Sequence, residues 1–197
     1  MVYMKKVKAG LDGLVFDGFF SDPLSVRKRV KNLDFVPPDP GGKGGVAWFK
    51  RIETSDEIRE KLEQMWGFKI FPVYSEYRYS FKNADESRTQ QGNQIICHSD
   101  YGTSDYTSVV YLTAPKYCNG GTNFFKHLPS GEKEYIPNKT LCDFGKSKEW
   151  KCYYSSKMTF NRVVSYRSGL FHAVKPPFFG SDLNDCRLIL TTRFNRA

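Results

Sequence analysis

A chain of 197 residues has enough material for one domain with a substantial core and no need of disulfide or metal staples. No apolar run approaches the ~20 residues of a membrane helix, and no hydrophobic signal core follows the basic first ten residues, so a soluble, cytoplasmic protein is expected, with no membrane partner. The formal net charge of +9 comes from basic residues scattered along the chain; it suits an anionic substrate or co-substrate and a solvated surface equally, and does not by itself identify a nucleic-acid binder.

The 16 Phe, 12 Tyr and 3 Trp fall in short runs broken by Gly, Pro, Asn and Asp, a texture that predicts a β-rich fold with many turns. Leu11 to Phe20 reads as a first strand. Asp22 is placed as N-cap and Pro23 at the first helical position of an amphipathic helix over roughly 23–33, with Leu24, Val26, Val30 and Leu33 as its apolar stripe and Lys and Arg on the other face. The run 37–42, Pro-Pro-Asp-Pro-Gly-Gly, opens a loop. Thr54 with Glu57 has the form of a capping box for a second helix ending near Met65, with Ile58, Leu62 and Met65 as its core face. Residues 71–81 then alternate as a strand, with Val73, Ser75, Tyr77 and Tyr79 on one face. Short strands follow at 94–100, 105–113, 122–126, 150–155, 158–166, 169–174 and 186–195, enough for a small sandwich or barrel. Asn161 reads as a turn former, and Gly169 supplies the turn into the strand of His172. The expectation is one domain, with 1–68 packing as strand and helices on a β-core formed by 69–197.

Five cysteines (97, 118, 142, 152 and 186) give an odd number and no CxxC pair, as expected of a reduced chain; Cys142 and Cys152 are the pair that a bridge or metal site would use, and small buried hydrophobes are the simpler account. The chemistry concentrates elsewhere. His98-Ser99-Asp100 and the distant His172 offer two imidazoles and one carboxylate, the ligand set of a mononuclear iron(II) site. On a strand, His98 and Asp100 point the same way and Ser99 points away. The third ligand then has to come from a strand that folds back onto the same pocket. Of the three histidines in the chain, His127 lies outside this pattern and is expected in a loop.

The ordered segments around the triad carry a family likeness. Tyr111-Leu112, Gly120-Gly121-Thr122-Asn123-Phe124, Asn161-Arg162-Val163-Val164-Ser165-Tyr166, Phe171-His172-Ala173-Val174 and Cys186-Arg187-Leu188-Ile189-Leu190 follow one another. Together they resemble the double-stranded β-helix (a jelly-roll, cupin-like core, mainly β with flanking helices) of iron(II)/2-oxoglutarate-dependent dioxygenases. The likeness is to the prolyl-4-hydroxylase-like branch and related small bacterial and phage oxygenases, and it covers the chain from about Phe71 to Asn195. Phe16-Asp17-Gly18-Phe19-Phe20 with Asp22-Pro23 is similar to the lead-in strand and helix of such enzymes.

The resemblance implies that His98, Asp100 and His172 hold iron(II) and form the catalytic centre, with 2-oxoglutarate as co-substrate, O₂ as oxidant and ascorbate as a candidate accessory reductant. It implies that Arg187 grips the distal carboxylate of 2-oxoglutarate, a task suited to a planar guanidinium fork. Thr122, and a tyrosine hydroxyl from Tyr79 or Tyr77, are implied to assist. The expected reaction hydroxylates a small-molecule or peptide substrate and releases succinate and CO₂. Two departures, Ile95 where the prolyl hydroxylases usually carry tyrosine and Arg187 where they favour lysine, point away from prolyl hydroxylation itself. Arg187 and Arg193 together resemble the paired arginines of AlkB-like nucleic-acid demethylases, although that family's Asn-x-Tyr signature is missing before His98. This nucleic-acid oxygenase is the first alternative. A cupin-like module that binds metal without turnover is the second. Substrate selection is assigned to the loops 36–47, 82–93 and 127–149, where sequence patterns are weakest.

Overall fold

In a computed structural model describing residues 4–7, 11–37, 47–80, 97–137, 147–175 and 179–197, the strands are, in chain order, β1 (Lys5–Lys6), β2 (Gly13–Asp17), β3 (Trp48–Ile52), β4 (Ile70–Ser80), β5 (Tyr106–Tyr111), β6 (Gly121–His127), β7 (Trp150–Lys157), β8 (Arg162–Arg167), β9 (His172–Lys175) and β10 (Arg187–Arg196). Two helices, α1 (Pro23–Val30) and α2 (Asp56–Trp66), precede β4. One antiparallel sheet runs β1-β2-β8-β5-β10-β4-β3 and a second runs β7-β6-β9. His98 adds a single antiparallel bridge to His172 at the open side of β9. From β4 onward the chain passes repeatedly between the two sheets, and this interleaving is the double-stranded β-helix.

The sheet strands bury both faces. On β5 and β8, Val109, Tyr111, Val164 and Tyr166 enter the core between the sheets with Phe124, Met158 and Leu170. Their neighbours Val110, Leu112 and Val163 enter a second core beneath the helices with Val26, Val30, Ile58, Leu62 and Met65. A strand covered on both sides reads as a continuous apolar run, which is why 107–112 lacks clean alternation.

The helices differ in detail from the sequence expectation. α1 starts as predicted, Asp22 accepting from the Ser25 N–H at 3.0 Å, but it stops at Val30. Its buried face takes Arg27 in place of Leu24, which is 65 % exposed. α2 is capped by Ser55, whose side chain accepts from the Ile58 N–H, and closes on Gly67 in the left-handed conformation. Thr54 bonds Ser75 on β4 instead, and Glu57 reaches the Ser21 N–H at the head of α1, so the capping box does not form.

β1 and β3 have no counterpart in the sequence reading. β3 pairs with β4, Trp48 opposite Tyr79, so the N-terminal segment contributes strands at both sides of the first sheet. The expected strand at 94–100 reduces, over 97–100, to the His98 bridge; 94–96 lie outside the described residues, as do Ile95, Cys142, all of loop 82–93, and 38–46 and 138–146 of the other two loops. Residues 158–161 form a turn before β8. There Asn161 takes a positive φ of 63° and holds Phe20 from both sides, accepting its N–H at 2.7 Å and donating to its carbonyl at 2.9 Å. Cys118, Cys152 and Cys186 are free thiols.

Candidate metal centre and anion pocket

His98 and His172 face each other as a hydrogen-bonded backbone pair, each N–H donating to the other's carbonyl at 2.9 and 2.8 Å. Their rings consequently lie side by side, tilted by 53° with centroids 4.3 Å apart. Two residues on, the Asp100 N–H donates to Ser168 O at 2.9 Å, while the Ser99 hydroxyl turns the other way to bond Gly169 O. The alternation expected of a strand therefore survives without a continuous ladder. One ligand atom each from His98, Asp100 and His172 lies within 4.8 Å of the other two, a cluster that can hold a metal ion. His98 is exposed and His172 is buried, so the cluster sits at the rim of the barrel cavity.

The surroundings prepare the cluster for a cation. His172 Nδ1–H donates to Leu170 O at 2.8 Å; a carbonyl only accepts, so Nε2, 3.3 Å from Asp100 Oδ2, is the nitrogen that faces the carboxylate and that would give up any proton to take a metal. Burial opposes the charge on Asp100, but His172 and Arg193 outweigh it and hold the carboxyl far below the usual carboxylate range. Arg193 is itself fixed on all sides. It donates through Nε to Tyr74 OH at 2.7 Å, to Thr103 and Thr107 at 3.1 Å, and to Asp100 Oδ1 at 2.8 Å. Tyr166 packs its ring 4.9 Å from that of His172, and Phe124 opposes His172 across the β6–β9 ladder.

Further along the cavity lies a second arrangement. Arg187 is 4 % exposed, and among the described residues no carboxylate pairs with it. Its guanidinium sits 5.6 Å over the Tyr111 ring and donates to Gly121 O at 3.4 Å; desolvation pulls its pKa below the ordinary arginine value. Tyr111 OH and Thr122 Oγ1 are bonded to each other at 2.8 Å beside it, and Ser156 Oγ is buried without a hydrogen bond. Gly121 permits the approach of β7: a Cβ there would meet Ser156 O at 1.8 Å. A buried cation flanked by hydroxyls, with no acid beside it among the described residues, can receive an anion. Thr122 is two residues from Phe124 on β6, so one strand repeat, about 7 Å, separates this pocket from the His172 side of the metal cluster.

Of the residues singled out from sequence, His98, Asp100 and His172 converge, and Arg187 and Thr122 share the adjoining pocket. Tyr79 and Tyr77 do not reach it. Tyr79 lies opposite Leu188, stacks on Trp48 and meets Phe35 edge-on, and Tyr77 is buried beneath the helices. The cavity face of β4 is the other one, Tyr74, Glu76, Arg78 and Ser80, in register with Arg193, Thr191, Ile189 and Arg187. The hydroxyl at the anion pocket comes from Tyr111, which shares the inward phase of β5 with Thr107 and Val109. Arg193 does face the same side as Arg187, with a separate task on Asp100. His127 ends β6 and is not in a loop. It is buried, bonded through Nδ1 to Ser130 at 2.8 Å, and outside the metal cluster.

No curated protein matches the sequence, but solved structures match the fold. The epimerase SnoN, in complex with Fe3+, alpha ketoglutarate and nogalamycin RO, aligns at TM-score 0.56 and 13 % identity over 93 % of this chain and 78 % of that one. An oxidoreductase of the 2OG-Fe(II) oxygenase family from Burkholderia pseudomallei aligns at 0.58 and 11 % over 95 % and 87 %. A Pseudomonas putida prolyl-4-hydroxylase aligns at 0.51 and 14 % over 93 % and 91 %. At these identities the likeness is one of fold. In sequence, residues 3–192 match the family described as "Family of unknown function (DUF6445)", and the chain belongs to that family.

Proposed function

We propose that the protein is an Fe(II)- and 2-oxoglutarate-dependent dioxygenase that hydroxylates a small-molecule or peptide substrate. The observation that carries this reading is the pairing of two sites in one cavity: a His-Asp-His cluster fit for a divalent metal, and, one strand repeat away, a buried arginine that meets no acid among the described residues. When bound, iron with 2-oxoglutarate and O₂ supplies the oxidation, one oxygen atom entering a substrate C–H bond and the other leaving in succinate as CO₂ is released.

The chain's own groups divide the remaining work. His98, Asp100 and His172 hold the metal. Arg193 occupies Asp100 Oδ1, leaving Oδ2 for coordination, and Leu170 O keeps the His172 proton on Nδ1. Arg187 receives the distal carboxylate of 2-oxoglutarate as a fork, with Thr122 and Tyr111 as hydroxyl donors. The rings of Phe124 and Tyr166 wall the cavity and keep water from the reacting centre. The substrate itself is selected at the rim, where His98 and Tyr101 are exposed.

A second reading, a nucleic-acid oxygenase, drew on Arg187 and Arg193 as a pair. Both are buried and aimed at the cavity, so phosphate contacts would have to come from other basic residues. A barrel without turnover gives no reason to keep in its interior a guanidinium that no described carboxylate meets.

The test is succinate formation from 2-oxoglutarate with Fe(II), ascorbate and O₂, alongside anaerobic titration of Ni(II) and then 2-oxoglutarate. Binding of 2-oxoglutarate that requires the metal and is lost in Arg187→Met supports the reading. Turnover that persists in His172→Ala would remove the metal assignment.

A further inference from the structure

α1 carries a second buried arginine, remote from the metal cluster and unused by the chemistry above. Arg27 is 7 % exposed. Its NH1 donates to Leu112 O at 2.8 Å, and its NH2 donates to Leu183 O at 2.9 Å and Asn184 O at 2.7 Å. Among the described residues no carboxylate pairs with it, and burial lowers its pKa. Lys31, one turn on, bonds the Asn184 side chain. Burying a full charge against carbonyls alone is costly. An apolar residue would satisfy the helix's packing face with none of that cost, as Val26 and Val30 do on either side.

What Arg27 joins explains its presence. Leu112 follows Tyr111, and the 183–184 turn leads through Cys186 into Arg187; these two segments carry the guanidinium and the tyrosine hydroxyl of the anion pocket, which Gly121, Thr122 and Ser156 complete from the other sheet. They are already zipped on the strand side, Leu112 N–H donating to Leu188 O at 2.8 Å and Thr113 Oγ1 accepting from Leu188 N–H at 3.0 Å. Arg27 clamps them from the helix side. A guanidinium has donors directed apart in one rigid plane and spans both segments at once; an ammonium cannot.

We propose that Arg27 is a positioning residue for the anion pocket, setting the separation of Arg187 from Tyr111 and thereby the affinity for 2-oxoglutarate, which it does not touch. This rests on the oxygenase reading above. It makes α1 part of the co-substrate site and not only a cover for the sheet.

The experiment compares wild type, Arg27→Met, Arg27→Lys and Lys31→Met, each loaded with Ni(II) and titrated with 2-oxoglutarate by calorimetry, well below the midpoint of thermal unfolding. Ni(II) affinity is measured separately by competition. Arg27→Met is expected to raise the 2-oxoglutarate Kd about tenfold, as loss of an outer partner does, with Ni(II) affinity unchanged. Arg27→Lys, which keeps the charge and loses the span, is expected to restore part of that loss, and Lys31→Met to bind as wild type. If Arg27→Met fails to fold, Arg27→Lys decides alone by the same split. A lowered melting temperature with an unchanged 2-oxoglutarate Kd in the folded Arg27 variants would overturn the proposal and leave Arg27 a tether. Equal weakening of nickel and 2-oxoglutarate would overturn it too, as general loosening. If wild type itself takes up nickel and no 2-oxoglutarate, the oxygenase reading falls, and this inference with it.

Discussion

Arg193 and Asp100 meet at 2.8 Å inside the barrel, with the arginine held by Tyr74, Thr103 and Thr107 before the carboxylate arrives. The carboxylate is thus oriented by a cation that has no freedom to follow it. Arg193→Met is expected to weaken Ni(II) or Fe(II) binding by about 10- to 100-fold, the usual range for an outer partner of a metal ligand. It should also cost about 3 kcal/mol of stability, because a buried carboxylate loses its counter-charge. Metal competition and chemical denaturation measure the two effects.

Arg187→Met should act in opposite directions on stability and binding. The substitution removes a buried cation that no carboxylate among the described residues compensates, so without co-substrate the variant is expected to be at least as stable as wild type, by about 1 kcal/mol or more. It should also lose detectable 2-oxoglutarate binding. Denaturation midpoints with and without 2-oxoglutarate separate the outcomes: the ligand should raise the midpoint of wild type only.

Tyrosine hydroxyls distinguish the two faces of the first sheet. Tyr111→Phe removes a hydroxyl from the anion pocket and is expected to weaken 2-oxoglutarate by roughly 3- to 10-fold, the worth of one hydrogen bond. Tyr79→Phe, on the helix side, is expected to leave the Kd unchanged. An effect from Tyr79 equal to that from Tyr111 would contradict the placement of the pocket.

Gly121→Ala places a methyl 1.8 Å from Ser156 O. β6 and β7 must then separate beside Thr122, at an expected cost of about 1–3 kcal/mol, with loss of 2-oxoglutarate affinity. Thermal unfolding and the same calorimetric titration test both parts.

Alkali should destabilise the fold before it exposes these groups. Burial raises the Cys186 thiol to about 12 and lifts Tyr111 and Tyr166 above the ordinary phenol value. Each therefore binds its proton more tightly folded than unfolded. The stability they contribute is complete below the unfolded values, about 8.5 for cysteine and 10 for tyrosine, and is lost as pH rises through the folded ones. The melting temperature is expected to fall steadily from about pH 9 upward, with part of the first loss absent in Cys186→Ala.

The β-rich core and most strands after β4 were legible from β-favouring runs between turn residues; alternation placed His98 with Asp100, and the ordered family segments, not local pattern, brought in His172. Tyr79 was misplaced for a physical reason. On β4 the aromatic face turns toward the helices and the polar face, Glu76 and Arg78 included, turns inward, because the interior there holds Arg187 and Arg193 from β10 and is not an apolar core. Arg27 and Leu24 exchanged expected places on α1 for a similar reason: carbonyl partners from 112 and 183–184, far off in sequence, decide which side chain is buried. β3 was missed because its five residues gain their order from pairing with β4 and from one bridge, Phe49 to Val36, both remote from its own sequence pattern.

β10 lies between β4 and β5 and carries Arg187 at one end and Arg193 toward the other. Until this late segment inserts, the two earlier strands present raw backbone edges, the kind that recruit neighbouring chains. Insertion closes those edges and delivers both arginines in one movement. Protection from aggregation and assembly of the candidate site are therefore a single kinetic event, and one that demands pairing between segments more than a hundred residues apart, the slow class of contact in folding.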